Sequence, residues 1–180
     1  MNKTISNFED FALQILNQNK TKIAGLNPNY KILNTPDIEN YFLKNIEKFE
    51  IKSIELKKNQ LTIAKDLAKV ILNYKNSAKT LKQFQDINFE CQTAKFDLMK
   101  IFIEYEKYKN KNNFIDKPDI YQILFEHFTK NQKQLLELNQ SHLDYTITHN
   151  KVQNLNKNEL QLLELFQIKI HNETKETQIE

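Results

Sequence analysis

The chain has 180 residues, all 26 of its basic residues are Lys, and with 23 acids its formal net charge is +3. One Gly and three Pro exclude a sheet built on Gly-containing tight turns, a Gly-rich phosphate loop and a G-x-S-x-G nucleophile elbow, each of which needs backbone geometry that Gly takes cheaply. A single Cys excludes an internal disulfide and a Cys-based zinc site. The Lys-, Asn- and Ile-rich composition points to an AT-rich genome. Without Arg, bidentate reading of guanine is disfavoured, although Lys still binds phosphate as a point charge.

The N-terminus lacks an apolar run of signal-peptide type, and no apolar run approaches the ~18 residues of a membrane span. The expected location is therefore cytoplasmic. Ser6-Asn7-Phe8-Glu9 reads as a capping box opening a helix over 6–24, with Phe8, Phe11, Ala12, Ile15 and Leu16 on one face. Gly25 is the expected left-handed terminator, and Pro28 blocks continuation. Thr35-Pro36-Asp37 predicts a second helix, from 36 to about 56, with Thr35 as N-cap and Pro at the first position. The apolar phase blurs around Ile51 and Ile54, and Lys57-Lys58-Asn59-Gln60 is wholly polar, so a bend is expected within 51–60.

The next helix is expected over about 60–110, with Lys109-Asn110-Lys111-Asn112-Asn113 as a hairpin tip. From Pro118 to Ile170 there is no internal Gly or Pro. Leu124, Phe128, Leu135, Leu138, His142, Tyr145 and His149 recur three and four residues apart, as on a heptad seam. This predicts an all-α protein: an elongated helical bundle, single-domain over 1–180, with a long coiled-coil-like antiparallel hairpin and a frayed tail at 171–180. Charge divides the same way, with 14 Lys against 8 acids over 51–117 and 6 Lys against 9 acids over 118–180.

Lys57, Lys58, Lys65, Lys69, Lys75, Lys79 and Lys82 fall on roughly one side of a helix. They form a candidate polyanion-binding face, weighed against an ordinary solvated one. Leu124, Phe128, Leu135, Leu138, His142, Tyr145 and His149 form the candidate interface. His142 and His149 lack the Glu-x-x-His or H-E-x-x-H context of a metal site, so they read as polar layers setting register. Cys91, in phase with Phe84 and Leu98, reads as a buried inert thiol.

The stretch 105–155 resembles the periplasmic helical hairpins of outer-membrane efflux channels. Asp116-Lys117-Pro118-Asp119-Ile120 is followed by Gln132, Gln134 and Gln140, and then by Asp144-Tyr145. That resemblance implies a long hairpin, and no function is carried across from it. No catalytic, cofactor-binding or metal-ligating set emerges, and no cofactor is expected. The expectation is a non-enzymatic protein–protein interaction module: an adaptor, a chaperone-like factor, or a secretion or phage-host component. A protein partner or a homodimer is expected. The alternative is a Lys-mediated binder of nucleic acid or another polyanion.

Overall fold

The computed structural model describes residues 3–5, 7–53, 59–77, 91–141, 145–148 and 152–171. The chain divides into two compact units: residues 26–119 form one continuous unit, and residues 1–25 and 120–180 together form the other.

In the continuous unit, β2 (Lys31–Leu33) leads into α2 (Thr35–Asn45). Asn34 caps α2, its side chain accepting from the Asp37 N–H at 3.0 Å while Asp37 accepts from the Asn34 N–H at 3.2 Å. The cap is thus Asn34 rather than Thr35, because the amide of Asn34 closes a reciprocal box with the acid three residues on. A single 3-10 turn (Glu47–Phe49) ends at Glu50, whose φ of 49° turns the chain out of the helix. α2 already stops at Asn45, ahead of the bend expected within 51–60, of which residues 54–58 lie outside the described residues.

α3 (Gln60–Asn76) and α4 (Gln92–Asn112) follow. Ala64, Leu67, Ala68 and Ile71 repeat at three- and four-residue steps. They join Ile38, Phe42 and Ile46 of α2 and Ile101, Phe102 and Tyr105 of α4 in one core. Asn113, at φ 56°, closes α4 as a left-handed residue, close to the expected tip. β3 (Phe114–Asp116) then pairs parallel with β2, Ile32 opposite Ile115.

The discontinuous unit holds α1 (Phe8–Asn19), capped by Asn7, whose side chain accepts from the Glu9 N–H; Ser6 lies outside the described residues. α1 ends well before Gly25, which has φ 82° in the turn that follows. α5 (Lys117–Lys130) crosses the boundary at its first turn. α6 (Gln132–Ser141) and α7 (Lys157–Leu165) complete the helices described. β1 (Lys3–Thr4), β4 (Tyr145–Thr148) and β5 (Lys169–His171) form a parallel sheet in the order β1-β4-β5.

The protein is mainly helical, but two expectations need correction. The stretch 118–170 is not one helix. The Asn131 side chain turns back to donate to the His127 carbonyl at 2.7 Å, separating α5 from α6, and Tyr145-Thr146-Ile147-Thr148 is strand. β-Branched and aromatic residues in succession favour that state. Of the heptad stripe, Leu124, Phe128 and Leu135 are in the core. These three lie on short helices of a core that also holds Phe8, Phe11, Ile15, Phe166 and Ile168, not on a coiled-coil arm. The absence of sheet is the second correction; the two small sheets pair parallel and need no tight Gly turn.

Ile147 and Leu162 are also buried inside this unit. Cys91 is exposed at the start of α4, not a buried thiol.

Candidate functional site

Three features of the continuous unit bear on function. The first is an ion-pair network beneath the start of α5. Asp116 ends β3 and also caps α5: its carboxylate accepts from the Asp119 N–H at 3.2 Å, and Asp119 accepts from the Asp116 N–H at 2.9 Å. Lys75, from the last turn of α3, donates to Asp116 at 2.7 Å, to Asp119 at 2.6 Å and to Glu106 at 2.9 Å. Lys109, from α4, reaches Asp116 at 2.9 Å, Asp119 at 2.6 Å and Glu106 at 3.0 Å. The Tyr105 hydroxyl donates to Asp116 at 3.0 Å, and the Lys109 ammonium sits 5.1 Å from the Tyr105 ring centroid.

Burial would lower the Lys75 pKa, but Asp116, Asp119 and Glu106 outweigh it and hold the ammonium well above its usual range. Burial would likewise raise Asp116, yet the two ammonium groups hold it well below the carboxylate range. Asp119 is pushed up, by burial first and then, against the pull of Lys75, by the charge of Asp116. Two cations and three anions leave the cluster one negative charge in excess. Glu106, Asp116 and Asp119 bring carboxylate oxygens within 4.8 Å of one another. The lysine ammonium groups already occupy the place a cation would take, and the cluster is a structural clamp among β3, α3, α4 and α5.

The second feature is the exposed face of α3. Lys65 and Lys69 are solvent-exposed while Ala64, Leu67 and Ala68 are buried, so the helix presents these two lysines outward. Lys75 departs from the expected face: it is only 7% exposed. The angular position of its Cα is unremarkable; its four-carbon arm reaches the carboxylates brought to the helix end. Lys57, Lys58, Lys79 and Lys82 lie outside the described residues, as do His142 and His149. Of the candidate interface, Leu124, Phe128 and Leu135 serve the core of their own unit, and Leu138 and Tyr145 are half-buried, Tyr145 against Phe11 at 5.3 Å.

The third feature, which sequence reasoning missed, is a groove of about 400 Å³ among α2, β2, α4 and β3. The Tyr41 and Tyr108 rings stack there with centroids 4.2 Å apart and planes 23° apart, and Phe114 meets Tyr108 edge-on at 5.6 Å. Lys31 and Lys44 stand exposed on its lining. Burial, then Glu104 and Tyr108, push the Tyr41 hydroxyl up to about 12, so it remains a protonated donor at neutral pH. No spacing rule joins residues 31, 41, 108 and 114; the parallel β2–β3 pairing sets Lys31 opposite Phe114, and ring packing brings Tyr41 to Tyr108.

The family profile of the UvrD/REP helicase N-terminal domain matches residues 1–174. No curated protein matches the chain. The match overturns the expectation of a non-enzymatic adaptor, because this is a family of ATP-dependent enzymes, and it favours the nucleic-acid alternative instead. It also replaces the efflux-hairpin resemblance, which the strand at Tyr145–Thr148 already contradicts.

ATP with its metal ion does not fit the residues described. The sole glycine, Gly25, lies in the turn after α1 at φ 82°, and the clustered carboxylates are ion-paired with Lys75 and Lys109. No nucleotide chemistry is assigned to these side chains. Among the described residues, no helix is long and apolar enough to cross a membrane.

Proposed function

The chain belongs to the UvrD/REP helicase N-terminal domain family, and on that premise we propose that it contributes a nucleic-acid-contacting helical surface to helicase action. The observation that carries this reading is the outward pair Lys65 and Lys69 on α3. The opposite face of α3 is locked in the core by Ala64, Leu67, Ala68 and Ile71, so the ammonium groups are presented from a rigid element.

The charge of the unit supports it. Residues 26–119 hold 17 Lys and 13 acids, a net of +4, whereas the remaining residues hold 9 Lys and 10 acids, a net of −1. Within the positive unit, Lys75 and Lys109 and their three carboxylate partners are tied up together. Taking them out leaves the surface more positive still. Lysine without arginine suits contact with backbone phosphates and does little to read sequence.

The Lys65→Gln/Lys69→Gln variant tests the reading. Wild-type affinity for a short duplex should fall steeply with salt, and the variant's log–log slope should be shallower by about 2, close to one unit for each lost phosphate contact. Equal slopes and equal affinities would remove α3 from the interface.

A further inference from the structure

We propose that the open edge of β2, with the groove beside it, is a docking site for an acidic protein segment that adds to the sheet as an extra strand. The inference goes beyond the nucleic-acid reading and does not depend on it. The main chain carries it. Lys31 donates to the Asn113 carbonyl at 3.0 Å, so its main-chain groups face β3. Successive residues of a strand turn these groups to opposite sides, so the N–H and C=O of Ile32 face away from β3. β2 and β3 make a two-stranded sheet, and among the described residues no third strand pairs with that edge. Ile32 is 38% exposed, and it lines the groove together with Lys31 and Leu33. An open edge is a template for an extended chain: the Ile32 N–H would donate to the guest's main chain and its C=O accept from it.

Three residues make a short edge, so side chains must select the guest. Lys31 on β2 and Lys44 on α2 stand exposed on the lining. The single carboxylate there, Asp37, is engaged with the Asn34 N–H in the α2 cap. The lining therefore keeps a net positive charge, and its complement is a segment carrying Asp or Glu. Tyr41, Tyr108 and Phe114 stay half-buried on the wall of a cavity of about 400 Å³, which has room for one large apolar side chain. Side chains of a strand alternate between its faces. The guest is thus an extended segment with an aliphatic or aromatic residue directed into the cavity and acids two positions away on the same face. A nucleic-acid strand meets the lysines equally well, but it has no main-chain N–H and C=O to pair with Ile32.

The test selects short random peptides, displayed on phage, against the full chain at about 0.15 M salt, where distant surface charges are screened. Enriched peptides are expected to carry Asp or Glu two positions from a large apolar residue. The strongest of them, made synthetically, is then followed by fluorescence anisotropy. Methylating its main-chain nitrogens one at a time should weaken binding about tenfold at the position that donates to Ile32. Ile32→Pro removes the outward N–H, leaves the bonds of Lys31 and Leu33 to β3 in place, and should weaken binding by a similar factor; an edge strand tolerates Pro there. Lys31→Glu/Lys44→Glu, which changes only exposed side chains, serves as the second variant and should abolish binding. Failure to enrich any peptide, or enrichment of peptides without acids, would overturn the docking site. Equal binding of every methylated peptide would overturn the added strand. Displacement of the peptide by an oligothymidylate at the same salt would assign the groove to nucleic acid and overturn the peptide reading.

Discussion

Asp116→Asn isolates what the buried network contributes. Asp116 is fully buried and accepts from Lys75 at 2.7 Å, Lys109 at 2.9 Å and the Tyr105 hydroxyl at 3.0 Å. At an effective dielectric of about 20, each ammonium contact at that range is worth about 6 kcal/mol gross. Desolvation of the ions cancels most of this, so the pair as a whole adds little net stability. The substitution does not remove the pair, however. It takes away the one fully buried anion that both ammonium groups share, leaving them Asp119 and Glu106, whose side chains are 17% and 32% exposed, and removing one partner of a buried pair costs about 3–5 kcal/mol.

The control is the Lys100–Glu50 pair, whose side chains are 48% and 77% exposed; Lys100→Gln there should cost no more than about 1 kcal/mol. Urea unfolding followed by tyrosine fluorescence reads both. With a slope of about 2 kcal/mol per molar, Asp116→Asn should lower the midpoint by about 2 M and Lys100→Gln by less than 0.5 M. A loss for Asp116→Asn as small as that of the control would mean that water reaches the cluster and that Lys75 and Lys109 are hydrated.

Other outcomes follow from single contacts. Asp97 accepts from the Lys52 N–H, the Ser53 N–H and the Ser53 hydroxyl at 2.7–2.9 Å. Burial opposes its charge, but these donors hold its carboxyl below the ordinary 3.8. The associated stability is present above 3.8 and is lost as pH falls toward the depressed folded value. Asp97→Asn should cost about 1–3 kcal/mol at neutral pH and flatten the acid limb of a pH–stability curve, and an unchanged limb would contradict the assignment. Tyr121 donates to Glu159 at 2.6 Å, and burial, then Glu159, raise its hydroxyl well above 10.0. That term is intact below 10.0 and lost as pH rises beyond it toward the folded value, so Tyr121→Phe should cost about 1.5–3 kcal/mol at pH 7 yet lose less than wild type above pH 10.

What the chain discloses in advance is local. Pro36 and Pro118, each followed by an acid, mark true helix starts, and Asn59-Gln60, at the end of a polar run, marks another. Asn156 with Glu159 three residues later was an equally plain start within the supposed long helix. The uninterrupted apolar phase masked it, as it masked the β-branched run at Tyr145–Thr148. A three- and four-residue rhythm reports which side of a helix is covered, not whether the helix continues.

The site was less legible for a geometric reason. Lys75 and Asp116 are 41 residues apart, and Lys31 lies on a strand whose partner begins at Phe114. Residues so distant carry no spacing signal for each other. Family membership, likewise, is written in no short motif that the chain retains, since its one Gly cannot build a phosphate loop.

The division of the chain also sets a schedule for its folding. The unit formed by residues 26–119 is continuous, whereas the other must join residues 1–25 to residues 120–180. At about 5–20 residues per second, a ribosome needs roughly 3–12 s to make the 61 residues after Asp119. Through that interval the continuous unit has its whole sequence and α1 has not yet met α7 or β5. Phe8, Phe11, Ile15 and Leu16, all buried at the end, wait beside the emerging chain with their apolar faces uncovered. Although α1 precedes α2 to α7 in the chain, it is thus among the last of them to be packed, and it is the segment a chaperone would have to shield.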